Sequence, residues 1–280
     1  MRVGDNPETI VELAHLAEES GWDGVFLWDG IYYGAYAAEP LHEAWTTLAA
    51  VAVKTNRVRI GTMVTALARR KPWEVARQCV TLDWLSKGRL TLSVALGSED
   101  EGGFGKVGEP TDRRTKAERL SEGLEVLTGL WSGRPFSYEG KHYKIQEMTF
   151  LPRPIQEPRI PIWVVAAWPK EKSMDRAVKY DGVIPTKMVG KGKFEEMTGQ
   201  DLVDMKSYIG SKRKGRTTEA FDIVIEDETP GDDKGKARSI ISPFVKAGVT
   251  WWLEAVWHTP ETKEGVPGMR KRIVQGPPSA

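Results

Sequence analysis

The sequence predicts a parallel α/β fold of the TIM-like (β/α)8-barrel type, lacking or truncated in its first strand. Three observations carry that expectation. Helical and strand-length apolar segments alternate along nearly the whole chain, and the strand segments are apolar on both faces, as strands covered by helices are. The length, 280 residues, lies within the single-domain range of α/β barrels.

The elements follow in order. Residues 7–20 read as a helix, with Pro7 suited to the first turn, Ile10, Leu13, Leu16 and Ala17 at helical spacing, and Gly21 as the stop. Residues 22–28 (WDGVFLW) form a short apolar run of strand length. A helix over 41–55, a strand over 58–64, a helix over 72–86 and a strand over 90–96 continue the rhythm, followed by a helix over 116–131. Further strands are expected at 162–166, 182–184, 221–225 and 249–255, with helical stretches between them, the last at 234–247. Two interruptions stand out: a hairpin near 136–145 with Glu139-Gly140 as its turn, and a Lys- and Gly-rich excursion near 185–217. The whole chain, 1–280, is expected to be one barrel domain carrying these two additions.

Seven strands are countable, and only residues 1–4 precede the first helix where a barrel would open on a strand. A missing strand leaves two strand edges unpaired, at roughly 1–3 kcal/mol for each buried unsatisfied group. A stub formed by residues 1–4, cover by the hairpin or a neighbouring chain, or a start further upstream would each resolve this.

Composition narrows the function classes. The chain is 40% hydrophobic and 28% charged, an ordinary globular balance. Forty basic against thirty-nine acidic residues give +1, so no global field recruits nucleic acid or an anionic membrane. No apolar run approaches the roughly 18–20 residues that span a bilayer, and no apolar leader is visible after Met1, so a cytoplasmic location is expected. The single cysteine, Cys79, excludes an intramolecular disulfide and a Cys-rich metal site. Four scattered histidines without HxxxH spacing give no metal centre, and no P-loop, GxSxG elbow or dinucleotide GxGxxG is present.

GWDGVFLWD at 21–29, KPWEVARQCVTLDWLSKGRL at 71–90, EGLEVLTGLWSGRPFSYEGKHY at 122–143, FLPRPIQEPRIPIWVVAAWP at 150–169, YDGVIP at 180–185 and RKRIVQGPP at 270–278 together resemble the bacterial-luciferase-like family of flavin-dependent oxidoreductases. They occur in order over nearly the whole chain. The resemblance implies a TIM-like barrel that binds FMN or the 5-deazaflavin coenzyme (coenzyme F-420) at the C-terminal ends of its strands. It also implies hydride transfer or monooxygenation of a small-molecule substrate, and a homodimer. The sequence departs from the family pattern at the front, at Gly30, where a histidine usually follows the aspartate, and at Ala166-Ala167, where Ala-Gly is usual.

Strand ends are where such a barrel places its chemistry. Trp28 either packs in the core or stacks on a ring, and Asp29 either caps a turn or orients a proton donor. Met63, Val64 and Thr65 supply the mixture of apolar shelf and polar contact that a tricyclic ring needs, or are buried strand residues. Leu96, Gly97 and Ser98 allow close backbone approach, with Glu99 as a possible acid within an acidic loop. Ala166, Ala167 and Trp168, small residues and an indole at a strand end before a helix beginning near Pro169, could present backbone N–H groups to a phosphate, and Pro185 and Lys187 lie on the next strand end, Lys187 as an anchor or a solvated lysine. His258, near Glu254 and Trp257, is the histidine best placed for acid–base work. Two function classes result. One is a flavin- or deazaflavin-dependent oxidoreductase with Asp29, Glu99 and His258 as candidate catalytic groups. The other is a cofactor-free barrel that keeps the scaffold for a binding or structural role.

Overall fold

The computed structural model describes residues 6–31, 41–97, 103–190, 193–215, 220–255 and 265–279. The chain divides into two units, Met1–Glu18 with Asp23–Pro161, and Glu19–Trp22 with Ile162–Ala280.

The first unit opens on α1 (Pro7–Glu19), which buries Ile10, Leu13, Ala14 and Ala17 along one stripe. Its sheet is three parallel strands in the order β1 (Gly24–Asp29), β2 (Arg59–Ala66) and β3 (Leu90–Ala95). Two helices connect them, α2 (Ala44–Lys54) and α3 (Pro72–Leu85). Parallel pairing requires such crossovers, and β3 is buried at every position because both of its faces are covered. Glu43 caps α2 by accepting from the Thr46 N–H, and Pro72 stands at the start of α3, where its missing N–H costs nothing. Arg89 ties α2 to β2: its guanidinium donates to the carbonyls of Ala52, Thr55 and Val58 and to Thr55 Oγ1. After β3 come α4 (Arg113–Trp131), capped by Asp112, and the antiparallel pair β4 (Pro135–Glu139) and β5 (Lys144–Thr149). The hairpin's turn is held by one carboxylate, Glu122, which accepts from the backbone N–H groups of Lys141, His142 and Tyr143.

The second unit holds four parallel strands in the order β6 (Ile162–Trp168), β7 (Gly182–Val189), β9 (Asp222–Asp227) and β10 (Trp251–Glu254). A short strand, β8 (Lys193–Glu195), pairs antiparallel with β7. Helices α5 (Glu171–Ala177), α6 (Gly199–Lys212), α7 (Lys234–Ala247) and α8 (Val266–Val274) complete it.

The seven parallel strands fall where the apolar runs placed them. Most strand bounds shift by one or two residues; the largest strand difference is that the one expected at 182–184 continues to Val189, and α6 occupies much of the stretch read as an excursion. Pro185 argues against a central strand by lacking a donor. Residues 185–187 nevertheless stay in register with Ala166, Ala167 and Trp168, and β8 pairs with the rest. The described residues hold no strand ahead of α1, and residues 1–5 lie outside them. No helix among the described residues is long and apolar enough to cross a membrane.

Candidate functional site

The C-terminal end of β2 is irregular, and the pairing shows why. Leu27 of β1 stands opposite Thr62 and Asp29 opposite Thr65, so three steps along β2 match two along β1. Against β3, Gly61 faces Thr91 and Thr65 faces Val94, so four steps match three. β2 therefore carries one extra residue relative to both neighbours, a bulge at Met63-Val64, whose peptide bond is cis. Both residues of this pair are half-buried, where regular alternation would hide one of them.

Trp28 lies in register with the bulge, between the Leu27–Thr62 and Asp29–Thr65 pairs. Its face of the sheet is shared by Phe26, whose ring meets the bare Cα of Gly61: a Cβ there would come within 3.0 Å of Phe26 Cε1. Trp28, Met63 and Val64 thus gather as a half-buried apolar group. The opposite face is polar and closed. Thr62 Oγ1 and Thr65 Oγ1 are 2.8 Å apart beneath the bulge, and Thr65 Oγ1 donates to Asp29 Oδ2 at 2.9 Å. Trp45 Nε1 donates to the same oxygen at 3.1 Å, while Arg70 Nη2 donates to Oδ1 at 2.6 Å. Asp29 is 4% exposed, and both its oxygens are engaged by this network. The carboxylate turns away from Trp28 and holds the bulge from behind.

At the end of β3, Gly97 adopts φ +85°, and a Cβ there would lie 2.5 Å from Phe104 and 2.8 Å from Ala66. Glycine is required twice over, by its backbone conformation and by space. The Gly97 carbonyl accepts from Lys116 Nζ at 3.0 Å, and that ammonium also stands 4.6 Å from the Phe104 ring centre. Lys116 is buried, in the first turns of α4. Leu96 precedes this turn, half-buried; Ser98 and Glu99 lie outside the described residues.

In the second unit, Ala166, Ala167 and Trp168 pair in register with Pro185, Thr186 and Lys187. The Ala167 N–H donates to Ser173 Oγ at 3.0 Å, so the local serine takes the donor considered above for a phosphate. Trp168 meets Tyr208 edge to face, with ring centres 6.1 Å apart. Lys187 Nζ donates to Asp201 Oδ2 at 2.9 Å, and this bond raises the lysine's pKa. Asp201 also closes the capping box of α6 with Thr198. Burial alone would raise the Asp201 pKa; the bonds from Thr198 and Lys187 prevail and bring it down to about 2. Glu254 is likewise engaged, by Thr229 (N–H at 2.6 Å and Oγ1 at 2.7 Å), Trp252 Nε1 and Arg272, which fastens α8 to β10. His258 and Trp257 lie outside the described residues.

Two groups have no signal in the sequence. Lys116 sits mid-pattern in a charged helix, and only the fold brings it to Gly97. Ser93, in the middle of β3, lies on the face shared with Thr91 and Gly61, hence with Met63 and Trp28. Its hydroxyl is buried, with no hydrogen-bond partner among the described residues. Among those residues no group of His, Cys, Asp and Glu is arranged to hold a metal ion.

The geometry can now be set beside known proteins. An F420-dependent glucose-6-phosphate dehydrogenase of Microbacterium testaceum (strain StLB037) is 30% identical over 222 residues, 79% of this chain and 63% of that protein. The chain thus spans less than two thirds of that relative's length. A coenzyme F420-dependent tetrahydromethanopterin reductase from Methanopyrus kandleri superposes with a TM-score of 0.74 at 18% identity, covering 98% of this chain and 95% of the other. An F420-dependent secondary alcohol dehydrogenase, solved with an F420-acetone adduct, gives 0.74 at 16% identity, covering 96% of each chain. These likenesses show the fold, the TIM-like type expected from the sequence. Residues 2–226 match the family described as luciferase-like monooxygenase, and the chain belongs to that family.

Proposed function

We propose that this chain is an oxidoreductase that uses a reduced flavin-type cofactor, the 5-deazaflavin coenzyme ahead of FMN, to reduce a small organic substrate by hydride transfer. The observation that carries the reading is the bulge at Met63-Val64 facing Trp28. It is an apolar ledge, half open at the end of a parallel strand pair and braced from behind by Thr62, Thr65 and Asp29. A flat ring system needs such a ledge with a polar contact or two. The names of the relatives favour the deazaflavin.

The residues present fit a cofactor of this kind. Met63 and Val64 would support its ring, Leu96 and the Gly97 backbone, with its carbonyl fixed by Lys116, would border it, and the Ser93 hydroxyl offers an unfilled polar partner on the same face. In the second unit Ala166, Ala167, Trp168 and Pro185 remain as proposed contacts. Lys187, paired with Asp201, acts first as a fastening between β7 and α6. When bound, the cofactor supplies the two-electron chemistry, and the protein contributes binding, orientation and exclusion of water. Asp29 serves that orientation by locking the bulge; Ser98, Glu99 and His258 stay proposed for contact and proton handling. The buried single thiol of Cys79 suits the reducing cytoplasm. Exposed Val53, Trp84 and Leu85 on α2 and α3 suit a homodimer, which sedimentation would reveal.

The test is an equilibrium titration of the purified chain with the deazaflavin coenzyme and with FMN, followed by absorbance and fluorescence. Micromolar binding of the deazaflavin is expected. Failure of both to bind would reject the reading in favour of the cofactor-free barrel.

A further inference from the structure

Ser93 breaks a rule that the other buried hydroxyls keep. Its side chain is fully covered, at 0% exposure, so no solvent reaches it, and its Oγ has no hydrogen-bond partner among the described residues. Every other buried serine or threonine among those residues is paired, the nearest being Thr62 with Thr65 and Thr91 with Arg59. A buried hydroxyl left without a partner costs the fold stability, and an alanine in the same place carries no such cost.

The unmet group lies beside the bulge. Gly61 stands opposite Thr91 and Thr65 opposite Val94, so the part of β2 that runs past Ser93 is the stretch holding Met63-Val64. Ser93 follows Thr91 by two positions onto the same face, and Met63 follows Gly61 in the same way. Two contacts identify that face: Arg59 Nη1 donates to Thr91 Oγ1 at 3.1 Å, and the Phe26 ring meets the Cα of Gly61. Ser93 and Met63 are thus neighbours on adjacent strands, on the side of the ledge. Met63 is half-buried and unbranched, with three rotatable bonds, so its side chain can yield to a ligand while the backbone stays in place.

We propose that Ser93 is kept as a binding residue: when Met63 gives way, its hydroxyl pairs with the pyrimidinedione edge of a flavin-type ring laid on the ledge. The inference rests on the cofactor reading above and names the partner of one group within it. A serine hydroxyl donates to ring carbonyls or accepts from a ring N–H, and the pyrimidinedione offers both. Flavin and 5-deazaflavin share that edge, whereas the deazaflavin has a C–H without a lone pair where the flavin has its central nitrogen. The empty chain gives up stability at Ser93, and the loaded chain recovers it as affinity.

The test pairs two measurements on the full chain, for the natural sequence, Ser93→Ala and Ser93→Cys. Urea unfolding without cofactor reads the cost of the hydroxyl, and the Ser93→Ala midpoint is expected to be unchanged or higher. Absorbance titration reads its use. Both variants should bind the deazaflavin coenzyme and FMN about fivefold or more weakly, by similar factors for the two rings. The absorption band of the bound ring should also shift relative to the natural complex. A lower urea midpoint in Ser93→Ala would mean that the hydroxyl is paired inside the fold, and would overturn the proposal. So would unchanged affinity in Ser93→Ala, or a loss confined to FMN. If the natural chain binds neither ring, the cofactor reading fails and this assignment falls with it; if the natural chain and Ser93→Ala bind equally well, the assignment fails alone.

Discussion

Asp29 shows how one side chain acquires its role from partners far away in sequence. Trp45, Thr65 and Arg70 lie 16, 36 and 41 residues along, and all three converge on its two oxygens. Read in isolation, a carboxylate closing a strand is as good a catalyst as a brace, and no local pattern separates the two. The network engages both oxygens and through Thr65 supports the bulge. Replacing Asp29 with Asn keeps the shape but removes the charge facing Arg70, which is itself partly exposed. A loss of about 1–3 kcal/mol is expected, smaller than for a fully buried pair. Urea unfolding followed by circular dichroism measures it, and cofactor affinity should fall in step as the ledge loosens.

Elements of this chain depend on close backbone approach and on helix caps. A Cβ at Gly61 would lie 2.2 Å from the Thr91 carbonyl oxygen of β3 and 3.0 Å from Phe26. Gly61→Ala must push β2 from β3 or displace the Phe26 ring, and roughly 1–3 kcal/mol of overpacking is expected in the unfolding midpoint. At α6 the issue is charge. Asp201 titrates at about 2 in the folded chain, below its ordinary value of 3.8, because the Thr198 and Lys187 bonds outweigh burial. A depressed carboxylate pKa means that its stabilising contribution is fully present above the ordinary value and is lost as pH falls through the folded one. The protection factors of the α6 amides should therefore fall between pH 3.8 and about 2, and Asp201→Asn should flatten that dependence.

At the scale of the whole molecule, the parallel strands were legible because each is a short apolar run bounded by turn residues, and the hairpin because Glu139-Gly140 interrupts an alternating stretch. What stayed hidden was whatever depends on register. Met63-Val64 keeps the apolar character of β2, so its extra residue emerges only against Leu27, Asp29, Gly61 and Val94 on the pairing map. Pro185 masked the second half of β7 for the opposite reason, a local signal overruled by its neighbours. Ser93 and Lys116 acquired significance only from the faces on which folding placed them. If the cofactor reading holds, deazaflavin at a hundredfold its Kd should raise the unfolding free energy by about 2.7 kcal/mol, because the ligand binds only the native chain. A melting curve with and without it would show the shift.

The irregularity in β2 also has a genetic corollary. Because that strand is one residue longer than either neighbour requires, an in-frame loss of the codon for Val64 would restore unbroken alternation from Arg59 onward and could leave a serviceable scaffold. Such a protein should accumulate and melt cooperatively while holding no coenzyme. On the cofactor reading, a single mutational step would therefore separate a coenzyme-binding chain from an inert relative.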